Sequence, residues 1–185
     1  MNKDIFKQFP IIQVNSEITL RELKHTDALA FKNILSHEKV SPYIPNDVIP
    51  SSIGHSLREI NFLKGLFTNQ QSVYWGIEHK TEGLIGTAGF ESWLVFHNRL
   101  ELAFELHPDY WGQGIMSSSL KCIIDYAFEI MQVNRIDAYT LVDNQRSHKI
   151  LKKIGFIHEG TLHKYRMFNG QFVDIFIFGI TTKNA

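Results

Sequence analysis

The chain has 185 residues, enough for one ordinary domain with a substantial core. Nineteen Lys and Arg balance nineteen Asp and Glu, so no long-range field draws it to nucleic acid or to an anionic membrane. One cysteine excludes an internal disulfide framework and a multi-cysteine metal site, and fits a reducing cytoplasm. No apolar run approaches a membrane span, and "MNKDIFKQFPIIQV" holds no stretch long enough for a signal peptide, so a soluble cytoplasmic protein is expected.

In chain order, "EITLREL" (17–23) sets Ile18, Leu20 and Leu23 loosely against polar neighbours and reads as a first strand. "HTDALAFKNILSH" follows as a helix, with Thr26 or Asp27 as N-cap. The stretch "SPYIPNDVIPSS" carries three of the five prolines and must be a loop. Leu57, Ile60, Leu63 and Phe67 then recur at helical spacing. From Ser72 the pattern turns to strands: "SVYWGIEH" and "LIGTAGFES", joined by the turn "KTEG", then "RLELAFEL" (99–106), which ends at His107-Pro108. A bend with Gly112 and Gly114 leads into a helix over 115–131, whose apolar face is Leu120, Ile123, Ile124, Ala127, Phe128 and Met131. "RIDAYTLV" (135–142) is a strand, and "NQRSHKILKKIGF" a short helix stopped by Gly155. The chain closes on two strands around Asn169-Gly170, its strongest hairpin signal. These elements compose one mixed α/β domain over 1–185, with a mostly antiparallel sheet and a strand–bend–helix–strand crossover near its middle.

The bend poses the functional question. Two glycines at a helix start commonly do no more than make a tight turn. The same geometry also suits an anion, because a helix N-terminus leaves backbone N–H groups unpaired and partly positive. No lysine follows Gly114 as a Walker A loop requires, and Ser117 stands where the Rossmann fingerprint needs its third glycine. An anion site survives both tests; a nucleotide-binding fold of either kind does not.

The combination resembles the GNAT acyl-CoA-dependent N-acetyltransferases. "ELAFELHPDYWGQGIMSSSL" is similar to their strand, pyrophosphate loop and helix, and "NQRSHKILKKIGF" to their Asn-x-x-Ser helix ending in Gly-Phe. "HEGTLHKYRMFNGQFVDIFIFGI", with Asp174, resembles the ending of the ribosomal-protein N-acetyltransferase branch. Three such motifs in order imply a seven-stranded, mostly antiparallel sheet flanked by about four helices, and acetyl-CoA as co-substrate. The resemblance assigns the pyrophosphate to the amides of Gly112, Gln113, Gly114, Ile115, Met116 and Ser117 beside Trp111. The pantetheine arm falls to Phe104, Glu105 and Leu106, and Asn144 and Ser147 face the same site.

Several positions depart from the family pattern. Trp111 opens the loop where Arg or Gln is usual, and Met116 replaces a small residue. Leu151 stands where many members carry a Tyr that protonates the leaving thiolate, so the resemblance makes Ser147 the candidate acid; otherwise it only fills the helix turn. Arg166 stands where some ribosomal-type relatives place a Glu. Glu101 and Glu105, four apart on one strand face, are the candidate carboxylates for proton removal, or else a solvated row. The nine His show no zinc-ligand spacing and no metal is expected. Cys122, on the polar helix face, lacks a base signature. Tyr43, Trp75 and Trp93 either line an acceptor pocket or fill the core. The acceptor is expected to be a small-molecule or peptide primary amine, with no nucleic acid or membrane partner and a monomeric or homodimeric state. The competing reading is a CoA-binding sensor or interaction module that kept the fold and lost the chemistry.

Overall fold

The computed structural model describes residues 3–182. Its sheet has strands β1 (Ile12–Gln13), β2 (Ile18–Arg21), β3 (Tyr74–His79), β4 (Gly83–Leu94), β5 (Arg99–Leu106), β6 (Arg135–Leu141), β7 (Ile157–Phe168) and β8 (Gln171–Thr181). The helices are α1 (Ala28–Leu35), α2 (Ile53–Thr68), α3 (Ile115–Glu129) and α4 (Gln145–Lys153). The strand order is β1-β2-β3-β4-β5-β6-β8-β7, antiparallel throughout except for the parallel pair β5–β6. Parallel neighbours require a crossover, and α3 supplies it. The sheet therefore has eight strands where seven were expected. The additional one, β1, is two residues long, too short to show any alternation.

Two apolar cores lie on opposite faces. One gathers Trp75, Phe90, Leu100 and Leu102 of the sheet with Leu120, Ile123 and Ala127 of α3 and Leu151 of α4. The other gathers Leu23 and Leu84 with Phe31, Ile34 and Leu35 of α1 and Ile60 of α2. The first helix starts at Ala28 with Asp27 at its N-cap position, the second of the two caps the sequence pattern allowed. Residues 25–27 form a single 3-10 turn, because the Asp27 carboxylate accepts the Lys24 amide at 2.7 Å and both terminal nitrogens of Arg21 at 2.7 and 2.9 Å. That pair is buried and bidentate, and it ties β2 to the start of α1. Ser52 caps α2 by accepting the His55 amide at 3.1 Å. Asn169 and Gly170 both take positive φ, 49° and 84°, as a two-residue hairpin turn of the primed type demands.

The feature that positions the site is a local failure of strand pairing. β5 and β6 pair only over Arg99–Arg135, Leu100–Ile136 and Glu101–Asp137. Beyond that point β5 follows β4 and β6 follows β8, and the two strands part. The closed end is held by charge: buried Asp137 takes Arg99 Nε at 3.1 Å and Arg135 Nε at 2.5 Å. Arg135 also reaches Glu159 of β7, whose carboxyl is thereby held below its usual range.

Candidate active site

The open end of that splay meets the glycine bend. Gly112 and Gly114 take φ of 78° and 79°, a left-handed conformation that glycine adopts without penalty. A Cβ built at either meets no protein atom within 4 Å, so open space and not packing faces the bend. Gly114 is the N-cap of α3 and has no side chain to satisfy the first turn. The bond from the Ser118 amide to the Gly114 carbonyl, at 3.0 Å, is the first of the helix. The N–H groups of Ile115, Met116 and Ser117 therefore have no intrahelical acceptor. Trp111 fixes the bend from below: its Nε1 donates to the Leu106 carbonyl at 2.9 Å, and the Arg146 guanidinium lies 4.0 Å above its ring.

Bend, splay and helix α4 enclose a cleft of about 660 Å³. Every site residue expected from the sequence lines it except Gln113, whose side chain turns back to donate to the Asp109 carbonyl at 3.0 Å. Asn144 caps α4 by accepting the Ser147 amide at 3.2 Å, which seats Ser147 on the cleft wall. Lys39, Arg146, Lys149 and Lys153 form a basic rim. Unpaired amides with a cationic rim are the chemistry that holds an elongated anion.

Carboxylates occupy the opposite wall. Glu105 pairs with Thr87 in the sheet register, and its Oε2 accepts hydrogen bonds from Thr87 Oγ1 at 2.8 Å and from the Tyr74 hydroxyl at 3.1 Å. Among the described residues both recorded bonds end on Oε2, leaving Oε1 for a ligand. Burial pushes the Glu105 carboxyl up, the Thr87 bond pulls it back, Glu91 pushes it further and Tyr74 pulls it back, for a result of about 7. Burial, with the charges of Glu105 and Glu91, holds the Tyr74 phenol well above its usual range, so it remains a donor. Glu91 is the extra residue of a bulge where both it and Ser92 oppose Glu101, a device that re-aims side chains beside sites. Burial and then Glu101 raise its carboxyl, with Arg166 opposing.

Glu101 has a different fate. Arg166 Nη2 donates to its Oε1 at 3.1 Å, an ion pair that joins β5 to β7. The Arg that departs from the ribosomal pattern thus occupies one of the two expected carboxylates. Of the aromatics, Tyr43 lines the cleft, whereas Trp75 is fully buried with its Nε1 on the Pro10 carbonyl at 2.8 Å and Trp93 packs against the core. Leu151 is likewise fully buried. The Cys122 thiol is pushed up by burial and by Asp125, away from thiolate reactivity. Sequence reasoning did not reach Tyr74, Thr87, Glu91 or Arg146. The first two needed the strand register and the third the bulge; a basic residue in the first turn of the Asn-capped helix was the available signal for Arg146.

A parallel strand pair that splays onto a glycine-capped helix, with an anion-binding end and a carboxylate end, defines an acyltransferase cleft. The chain belongs to the acetyltransferase (GNAT) domain family, whose model matches residues 17–157. It is 31% identical over 173 residues to an uncharacterized N-acetyltransferase, YoaA, of Bacillus subtilis (strain 168), covering 93% of this chain and 97% of that one. Its fold matches a microcin C7 self-immunity acetyltransferase in complex with acetyl-CoA and AMP (TM-score 0.82, 22% identity, 92% of this chain and 96% of that one). It also matches the ribosomal-protein-S5-alanine acetyltransferase of Vibrio fischeri (TM-score 0.82, 23% identity, 95% and 98%). Among the described residues, no helix is long and apolar enough to cross a membrane.

Proposed function

We propose that the chain transfers an acetyl group from acetyl-CoA to a primary amine by direct attack in a ternary complex, in the cytoplasm. The observation that carries this reading is one cleft with two chemically opposite ends: unpaired amides and a basic rim at one, a carboxyl of pKa about 7 at the other. The residues fit the donor. The amides of Gly114 to Ser117 suit a pyrophosphate, and the glycines admit it without a Cβ in the way. The edge of β5 that β6 leaves unpaired, at Phe104 and the Leu106 amide, suits the amide groups of a pantetheine arm and, nearest the thioester, polarisation of its carbonyl oxygen, the Leu106 carbonyl being held by Trp111.

Chemistry then follows from proton traffic. The amine nitrogen bonds to the thioester carbon, and as the C–S bond breaks the electron pair leaves on sulfur. Attack makes the nitrogen acidic, and Glu105, poised near neutrality with Oε1 available, takes its proton directly or through one water. Ser147, on the same cleft, donates its hydroxyl proton to the departing thiolate and regains one from solvent. Ser147→Ala is expected to lower kcat by ~10- to 100-fold while leaving acetyl-CoA affinity unchanged. An unchanged kcat would make solvent the acid and leave Ser147 a helix-turn residue.

Free-thiol release from acetyl-CoA with a panel of amines tests the reading as a whole. The rival, a silent CoA-binding module, draws on Leu151 lying in the core and on Arg166 engaging Glu101. It predicts binding of acetyl-CoA with no amine-dependent thiol release. It also leaves unexplained why a half-buried carboxyl is set against two donors at the lip of the cleft.

A further inference from the structure

A second cavity of about 250 Å³ opens on the far side of Glu105, between the sheet and helices α1 and α2. Ile44, Val48, Glu91 and Glu105 line both cavities, so the two adjoin at the carboxylate wall. Phe31 and Leu35 from α1, Leu63 from α2 and Phe62, 62% exposed, at the rim make the helix side apolar, while the hydroxyls of Tyr74 and Thr87 on the sheet side donate to Glu105. The carboxylate that α2 contributes, Glu59, is turned to His55 at 3.6 Å.

We infer that this second cavity is the acceptor subsite, and that it takes a primary amine carried on a compact apolar body such as an arylalkylamine or a branched alkylamine. The inference rests on the acetyl-transfer reading above and specifies its acceptor. An amine nitrogen at the shared wall meets Glu105 and Glu91, which attract its charge and accept its proton. The body behind it meets Phe31, Leu35, Ile44 and Leu63, where apolar surface leaves water. The size is right: an apolar cavity of roughly 150 Å³ accommodates benzene, so 250 Å³ holds a ring with a short arm. A polyamine would have to compete with His55 for Glu59, the carboxylate beyond the shared wall, and an amino sugar would have to desolvate its hydroxyls against the apolar side chains.

The test compares thiol release from acetyl-CoA by the full chain with 2-phenylethylamine, 3-methylbutylamine, spermidine, glucosamine and an alanine-starting peptide. The two apolar amines are expected to exceed spermidine and glucosamine in kcat/KM by ~10-fold or more, the discrimination that an apolar pocket supplies. Leu63→Lys is expected to raise KM for 2-phenylethylamine by ~10-fold or more while the acetyl-CoA-induced rise in Tm stays as in wild type. That rise also reports that the variant is folded. Phe62→Ala, at the exposed rim, is expected to act in the same direction with a smaller effect. Faster turnover of spermidine, glucosamine or the peptide would overturn the inference and leave acetyl transfer standing. No thiol release with any amine, despite a Tm response to acetyl-CoA, would overturn the transfer reading and the inference with it.

Discussion

Gly114→Val is expected to abolish the thermal stabilisation that acetyl-CoA gives the wild-type protein. A ligand that binds only the folded state at a hundred times its Kd stabilises by about 2.7 kcal/mol, or about 5–10 °C in Tm for a chain of this size. Valine acts on that gain in two ways. Its branched side chain enters the open space before the bend, where the phosphates approach the α3 amides. It also strains the backbone, since φ of 79° costs an L-residue roughly 1–2 kcal/mol. The second effect lowers the baseline Tm by a few degrees even without ligand, so the discriminating quantity is the difference between Tm with and without acetyl-CoA. A lowered baseline with the wild-type difference intact would show that the bend is a turn and nothing more.

Why that bend was legible in the sequence while other parts were not is a matter of range. Gly112, Gly114 and the apolar face of α3 lie within one contiguous stretch, and both the left-handed turn and the helix are local consequences of residue type. The same holds for Asn169-Gly170 and for Gly155, whose φ of 101° ends α4. Glu105 was reachable by strand alternation alone. What makes it chemically distinct from Glu101 was not, because Tyr74 and Thr87 come from two other strands and Arg166 lies 65 residues downstream. Alternation treats the two carboxylates as equals; the fold gives one an ion pair and the other two neutral donors. Trp75 shows the reverse error of range. A large aromatic on a strand reads equally as pocket or core, and only the packing of Phe9, Phe90 and Tyr126 edge-on around it decides for the core. Gln113 belongs to the bend by position, yet a side-chain bond to Asp109 takes it out of the cleft.

Glu105→Gln is expected to lower kcat/KM by ~100-fold or more while stabilising the fold above neutral pH. The kinetic part follows from the loss of the proton acceptor with shape and hydrogen-bonding partners kept, since Thr87 and Tyr74 can still donate to the amide oxygen. Wild-type kcat/KM should rise with pH through an inflection near the Glu105 value of about 7, then rise further as the amine, of pKa near ~10, loses its own proton. The Gln variant should keep the upper rise and lose the lower inflection. Glu101→Gln, which only dissolves the pair with Arg166, is expected to cost far less. The stability part has the opposite sign. Folding raises the Glu105 carboxyl from 4.5 to about 7, so the native state holds this proton more tightly than the unfolded chain does. Its favourable contribution is complete below pH 4.5 and is lost as pH rises through about 7. Gln has no charge to bury, and at pH 8 it should recover at most about 3 kcal/mol, seen as a Tm several degrees above wild type. At pH 5 the two proteins should melt close together. A variant with wild-type kcat/KM and an unaltered lower inflection would move the base to another group, with Glu91, the remaining raised carboxyl on that wall, as the next to replace.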